Sequence, residues 1–387
     1  MERNIYDEDH EAFRDVVKEF VKRYATNEAR EKWDADGEID RATMLAAGEA
    51  GILGLSVPEE FGGAGMLQDY RFRAVVSEET IRAGVGSLAG ALGIQDDLAV
   101  PYIVHMGTQA QKEKWLPGMA TGEILGALAM TEPGAGSDLR GAKTTAKKVE
   151  GGYVVNGAKT FISSGKTADV IVTFVKTGEG NRPDAFSLLL IENGMAGFDH
   201  GKKLQKMGFH GHDTAELSFT DVFVPEENLI GGEEGKGFVQ LMMNLPLERL
   251  SIGVAAAAAA DAAFGWTVDY TKSREAFGER IIDFQNTRFR LADVATTVDV
   301  LWAYVDRAML LYKDRKLTAE EAAKVKFWTT EREWEVLDIC VQLHGGYGYI
   351  TEYPIARAFL DARVHRIYGG TNEVMRDIVS RQIAGKR

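Results

Sequence analysis

The chain has 387 residues, with 58 acidic against 45 basic side chains and a net charge of −13. That balance argues against general nucleic-acid binding, which needs a basic footprint, and one cysteine, Cys340, excludes a disulfide framework or a cysteine zinc cluster. The apolar content of 45% is ample for the cores of two or three domains.

Residues 7–125 read as helical. Phe13, Val16, Val17, Phe20 and Val21 recur at helical spacing with charges between them. Asp40 is placed to cap a second helix that closes in the 48–54 region, and a helix resumes near Gln68. Thr108 and Gln111 have capping-box spacing before a helix that Pro117-Gly118 is expected to stop. From about residue 126 the period changes. A two-glycine turn at Gly151-Gly152 separates alternating runs, and Asn156-Gly157 reads as a second hairpin turn. Further strand-like runs cover 169–177, 185–192 and 215–224. Five or more short strands in about 100 residues suggest a small antiparallel barrel or sandwich. After Gly231-Gly232 long helices return: one from about Lys236 through the alanine run 255–260 to Asp269, one over 286–313, and one from Thr318, with Glu321 as capping partner, to Gly345-Gly346. Short helices follow near 354–363 and 371–383. The expected architecture is mainly α with a central β domain: a helical domain (1–125), a β domain (126–232) and a four-helix bundle (233–387). The N-terminus lacks the basic start and apolar run of a signal peptide, and no segment approaches the ~20 apolar residues of a membrane span. A soluble, cytoplasmic protein without an integral membrane segment is expected. No metal site is indicated, and Cys340 is expected in the core.

Residues 127–141, ALAMTEPGAGSDLRG, form a glycine-rich loop of exposed N–H groups and hydroxyls that a flat polar ligand can approach closely. The spelling TEPGAGSD resembles the flavin- and substrate-contacting loop of the acyl-CoA dehydrogenases. KMGFHGHDTAEL (206–217), LPLERL (245–250), VQLHGGYGYITEYP (341–354) and IYGGTNEVM (367–375) extend the resemblance over essentially the whole chain. It is greatest to the long-chain branch of the family. The order helices, β domain, helical bundle is also the family's.

The resemblance implies FAD. Its ring would meet Met130, Thr131, Phe161 and Ser163, with Phe161 where family enzymes often carry tryptophan. Ser137 matches a position that touches both flavin and substrate. The dinucleotide end would be held across a subunit boundary by Arg274, Phe277, Gln285, Gln342 and Gly346, completed by Thr371 and Glu373. Read singly, Arg274 is a solvated helix residue and Gln285 a helix cap. No GxGxxG follows a strand, so a Rossmann site is not indicated. A shared site also implies an oligomer, commonly a homotetramer in the family.

Desaturating an acyl thioester needs a base for the α-proton and a hydride acceptor on the opposite face. A carboxylate in a dry pocket suits the base, because desolvation raises its pKa. Many family members place this glutamate in the last loop, in the context YEGT. Here that position is Gly369, in YGGT. The long-chain and isovaleryl branches use a glutamate on the long helix instead, which corresponds to Glu248. Read alone, Glu248 is an ordinary helix residue shortly after Pro246. The glycine would clear space for Glu248, and the Gly369 N–H would help to polarise the thioester carbonyl. Arg249 matches a residue near the CoA part of the substrate, and Gly370 adjoins it. Gln95, Asp96 and Asp97 are unexpectedly polar for a helix that reaches the acyl tail. They either face the pocket, shortening it or favouring a polar tail, or lie on a solvated helix face.

The resemblance implies α,β-dehydrogenation of an acyl-CoA in fatty-acid β-oxidation, with electrons passed to an electron-transfer flavoprotein. A flavin oxidase or monooxygenase, or a non-catalytic flavoprotein, is the alternative on the same scaffold. A carrier-bound acyl group is the alternative substrate.

Overall fold

Capping side chains set most of the N-terminal helix starts. The computed structural model describes residues 3–385. Helix α1 (Glu8–Tyr24) begins at Asp7, whose carboxylate accepts the N–H groups of Asp9 and His10. α2 (Asn27–Asp36) starts at Thr26 and α3 (Arg41–Glu49) at Asp40. Asp40 therefore caps the third helix, not the second. α2 is mostly charged and buries only Trp33 as an apolar anchor, so it lacked a periodic signal. α4 (Arg71–Arg82) starts three residues beyond Gln68. α5 (Gly86–Gly93) and α6 (Val100–Met106) are joined through a widened π-helical turn over Ile94–Ala99. α7 (Gln109–Thr121) has the expected Thr108–Gln111 capping box but runs through Pro117 and ends at Gly122, φ +79°. A proline forfeits one backbone hydrogen bond. The burial of Trp115, Leu116, Met119 and Ala120 around it outweighs that loss.

The middle of the chain forms one seven-stranded sheet. Its strands are β1 (Gly126–Ala129), β2 (Thr145–Val149), β3 (Gly152–Ser163), β4 (Val170–Lys176), β5 (Phe186–Glu192), β6 (Phe198–Lys203) and β7 (Thr214–Pro225). The order is β1-β4-β2-β3-β7-β6, with β5 also on β4. The sheet is mixed rather than wholly antiparallel, because β1 and β2 run parallel to β4. The β2–β3 turn falls at 150–151 as its glycine predicts. Asn156-Gly157 is not a turn; both residues lie inside β3. There the ladder with β7 slips at Gly157, whose φ is +149°. A Cβ at that position would come within 2.6 Å of Thr144 Oγ1, so glycine serves close strand approach here.

The C-terminal part is built on α8 (Gly237–Ser273), followed by a tiny hairpin, β8 (Glu275–Ala276) and β9 (Glu279–Arg280). α9 (Gln285–Lys313), α10 (Ala319–His344), α11 (Pro354–Ala362) and α12 (Asn372–Ile383) complete it. α8, α9 and α10 pack together, with α12 against α10. The alanine run of α8 is the closely packed face: Ala257, Ala260 and Ala263 lie in one core with Val294, Leu301, Val336, Leu337 and Cys340. Burial pushes the Cys340 thiol up to about 11, so it is a packing residue. Among the described residues α8 alone is long and apolar enough to cross a membrane, and its most apolar stretch is mostly buried by the chain itself.

Candidate active site

Glu248 lies on α8 and is 3% exposed. Burial raises its pKa above the ordinary glutamate range, and hydrogen bonds from Tyr102 and Asn244 partly oppose that rise. Tyr102 Oη, from α6, donates to Glu248 Oε1 at 2.7 Å, and Asn244 Nδ2, one turn earlier on α8, donates to it at 3.2 Å. A buried carboxylate held by two donors is oriented and basic, the state a general base needs. Asn244 follows from its i,i+4 spacing to Glu248. Tyr102 is 146 positions away, and no local pattern identifies it.

Arg249 is buried beside Glu248, and desolvation lowers its pKa. Its Nε lies 3.5 Å from the Gly369 carbonyl, which brings the loop between α11 and α12 onto α8. Gly369 and Gly370 both have left-handed backbones, φ +63° and +87°. Gly369 also has a packing reason of its own. A Cβ there would meet Ile252 Cδ1 at 2.5 Å, and no atom of Glu248 lies within 4 Å of it. Ile252 is one helical turn beyond Glu248 on the same face, so the glycine accommodates α8 itself.

Gln95, Asp96 and Asp97 are neither solvated nor free. Gln95 donates to the carbonyls of Met119 and Ile124 at 3.0 and 2.9 Å and accepts the Gly126 N–H at 2.7 Å. Asp96 accepts the N–H groups of Gly54 and Ser56. Asp97 pairs with Arg73 at 3.0 Å and accepts from Tyr70 Oη at 3.0 Å. All three sit in the π-helical turn, which aims them inward at these partners.

The end of β1 and the bulge of β3 form a second cluster. The Thr160 N–H donates to the Thr131 carbonyl at 2.9 Å, and Lys159 Nζ donates to the Met130 carbonyl at 3.1 Å. Lys159 also pairs with Glu132 at 2.8 Å, and Glu132 accepts the N–H groups of Lys143 and Thr144. That buried pair, which no local pattern in the sequence marks, anchors the glycine-rich loop. Gly134 and Gly136 face open space, and Ser137 is exposed. Between Lys159 and Ile162 the β3–β7 register shifts, which turns Phe161 outward. Phe161 is 67% exposed with φ +60°, an uncommon conformation for an aromatic residue. Ser163 is half-buried next to it.

Arg274, Phe277 and Gln285 collect at the far end of α8. The Arg274 guanidinium lies 5.8 Å from the Tyr347 ring centre, which places it against the loop after Gln342 and Gly346. Phe277 is 98% exposed with φ +54°. Gln285 is the first residue of α9, not its cap; Phe284 holds that position. Arg274 is about 39 Å of helix from Glu248, so the chain does not bring these two groups together. Thr371 caps α12 directly after Gly370, and Glu373 is exposed in its first turn.

A flavin fits what the β1–β3 cluster offers: the exposed aromatic surface of Phe161 on a left-handed backbone, open glycines at 134 and 136, and the exposed Ser137. Family models for the N-terminal, middle and C-terminal domains of acyl-CoA dehydrogenase match residues 7–123, 127–222 and 235–384. The mitochondrial long-chain specific acyl-CoA dehydrogenase of Mus musculus is 42% identical over 383 residues, 98% of this chain and 88% of the relative. The structure of an acyl-CoA dehydrogenase from Geobacillus kaustophilus superposes with a TM-score of 0.94 at 42% identity, covering 99% of this chain and 100% of that one. An acyl-CoA dehydrogenase from Bacillus anthracis, complexed with FAD, gives 0.89 at 33% identity over 98% of this chain and 68% of the other. Three domain models in sequence order and relatives matched along nearly the full length carry one conclusion: the chain belongs to the acyl-CoA dehydrogenase family.

Proposed function

We propose that the protein catalyses FAD-dependent α,β-dehydrogenation of an acyl-CoA thioester to the trans-2-enoyl-CoA, with Glu248 as the base. The observation that carries this reading is the buried Glu248 carboxylate, held by Tyr102 and Asn244 beside Arg249 and the glycine pair. A flavin held by Met130, Thr131, Ser137, Phe161 and Ser163 would supply the acceptor for the β-hydride. Glu248 takes the α-proton. Tyr102 and Asn244 hold its carboxylate in one orientation, and burial gives it the proton affinity the step needs. The Gly369 N–H donates to the thioester oxygen as negative charge builds there. Arg249 and Gly370 line the CoA side, with Ser137 at the approach from the loop.

Arg274, Phe277 and Gln285 follow the far end of α8, about 39 Å of helix from Glu248, and Arg274 lies against Tyr347 beside Gln342 and Gly346 at the end of α10. They fit the dinucleotide end of a second chain's FAD, which supports a homo-oligomer of tetrameric type. Thr371 and Glu373 border the chain's own cofactor from the α12 side. Fatty-acid β-oxidation is the pathway this chemistry suits, with an electron-transfer flavoprotein reoxidising the enzyme.

Anaerobic mixing of the purified protein with saturated acyl-CoAs of graded length tests this. Bleaching of the flavin absorption that peaks at one chain length, and is lost in Glu248→Gln, is the expected result. A bound flavin that no ester bleaches would overturn it and favour carrier-bound substrates or a non-catalytic flavoprotein. Rapid reoxidation of the reduced enzyme by air would favour an oxidase or monooxygenase.

A further inference from the structure

Among the described residues two lysines are fully buried, and they are treated differently. Lys159 faces a carboxylate, Glu132. Lys326, on α10, is 0% exposed, and no carboxylate among the described residues pairs with it. Its ammonium instead donates to the carbonyl of Gly370 and to Asn372 Oδ1, both at 2.9 Å. Asn372 is itself fixed, donating to Thr330 Oγ1 and Glu331 Oε1 at 2.9 Å each. The Gly369 carbonyl lies 3.5 Å from Arg249 Nε. Two successive carbonyls of a left-handed turn are thus each met by a cation, one from α8 and one from α10.

Burying an ammonium without a counter-ion is unfavourable. Desolvation, reinforced by the Arg249 charge and only partly offset by the more distant carboxylates of Glu373, Glu331 and Glu333, lowers the Lys326 pKa to about 7. An apolar residue of equal length would pack in the same core without that penalty. What such a residue lacks is a donor for the turn and a positive charge behind it. Peptide planes move as units, so the held carbonyls of Gly369 and Gly370 fix the N–H groups of Gly370 and Thr371 and anchor, from its C-terminal side, the turn that begins at the Gly369 N–H.

We propose that Lys326 is a positioning residue for the dehydrogenation: through its hydrogen bonds to the Gly370 carbonyl and Asn372 it holds the Gly369–Gly370 turn in register with Glu248. In that step the α C–H bond breaks, the proton goes to Glu248, and the electron pair delocalises onto the oxygen. The inference rests on the acyl-CoA reading above.

The test is α-hydrogen exchange of a 3-thiaacyl-CoA in D2O, followed by mass spectrometry on the flavin-loaded protein. The sulfur replaces the carbon that would give up hydride, so exchange reports proton removal alone. No exchange in the unaltered protein would defeat the acyl-CoA reading itself. Given exchange there, Lys326→Met is expected to slow it and kcat by roughly 10- to 100-fold, the scale of a displaced catalytic group, with a smaller change in KM. Lys326→Ala is expected to recover exchange with added ethylammonium but not with sodium at equal ionic strength. If Lys326→Met does not fold, Lys326→Gln, which keeps a donor without the charge, is expected to fold and to exchange at an intermediate rate. Unchanged exchange in folded, flavin-loaded Lys326→Met or Lys326→Gln would overturn the proposal, as would an Ala variant that no amine restores.

Discussion

Two buried polar regions of this chain are made of similar residues and behave in opposite ways. Around the π-helical turn, Gln95, Asp96, Asp97, Arg73, Tyr70 and Ser56 are tied to one another or to backbone. Around α8, Glu248 has two neutral donors, and among the described residues neither it nor Lys326 has an ion-pair partner. Paired buried charge holds three segments of chain in place. Unpaired buried charge leaves groups free to exchange a proton or meet a substrate.

The sharpest way to break the contrast is Glu248→Gln. General-base removal is expected to lower the rate of flavin reduction by about 10²–10⁴-fold. The folded-state pKa of Glu248 is raised, so its ionised form disfavours the fold at pH values above the unfolded pKa. The Glu248→Gln variant is therefore expected to melt no lower than the parent at a pH of about 7.5. A fall in melting temperature with activity retained would place Glu248 among the structural carboxylates.

Asp97→Ala should do the reverse. It leaves Arg73 buried and unpaired, at about 3–5 kcal/mol in stability, while the surviving folded fraction keeps its turnover. Denaturant unfolding alongside flavin-normalised kcat distinguishes this from a role in the reaction.

Tyr102→Phe sharpens the comparison at the level of one hydrogen bond. A bond to a charged group contributes about 1.5–3 kcal/mol, or about one to two pH units. Removing a donor to the carboxylate raises its pKa further, so the acid limb of the kcat profile should move to higher pH. A limb that stays put would mean that Tyr102 does not hold the base.

The smallest expected effect is Gly369→Ala. The left-handed φ of +63° and the 2.5 Å approach to Ile252 Cδ1 predict a loss of about 1–3 kcal/mol. Most of it should appear in kcat rather than in global unfolding, since only one turn is disturbed. A stable, fully active variant would show that the turn tolerates displacement.

Local chemistry made several elements legible in the sequence. The boxes at Thr108–Gln111 and Thr318–Glu321, the turn at Gly151 and the alanine face of α8 all depend on neighbours within four residues. The family motifs, including Glu248 in LPLERL and the absence of a carboxylate at 369, were legible by resemblance to the family rather than by local chemistry. Errors arose where tertiary packing overrode a local signal. Pro117 stays helical because its neighbours are buried, Asn156-Gly157 stays extended because β7 pairs with it, and a weakly apolar α2 is held by Trp33.

What only the folded chain decided are contacts across long separations: Tyr102 on Glu248, Arg73 on Asp97, Lys159 on Glu132, and Lys326 on the Gly370 carbonyl. Each depends on two elements packing in one register, and residue spacing along a chain carries no information about that. The sequence by itself determined which residue types stand in the family's motifs. The packing of α6, α8 and α10 determined which of them are buried, which are paired, and which are left able to react.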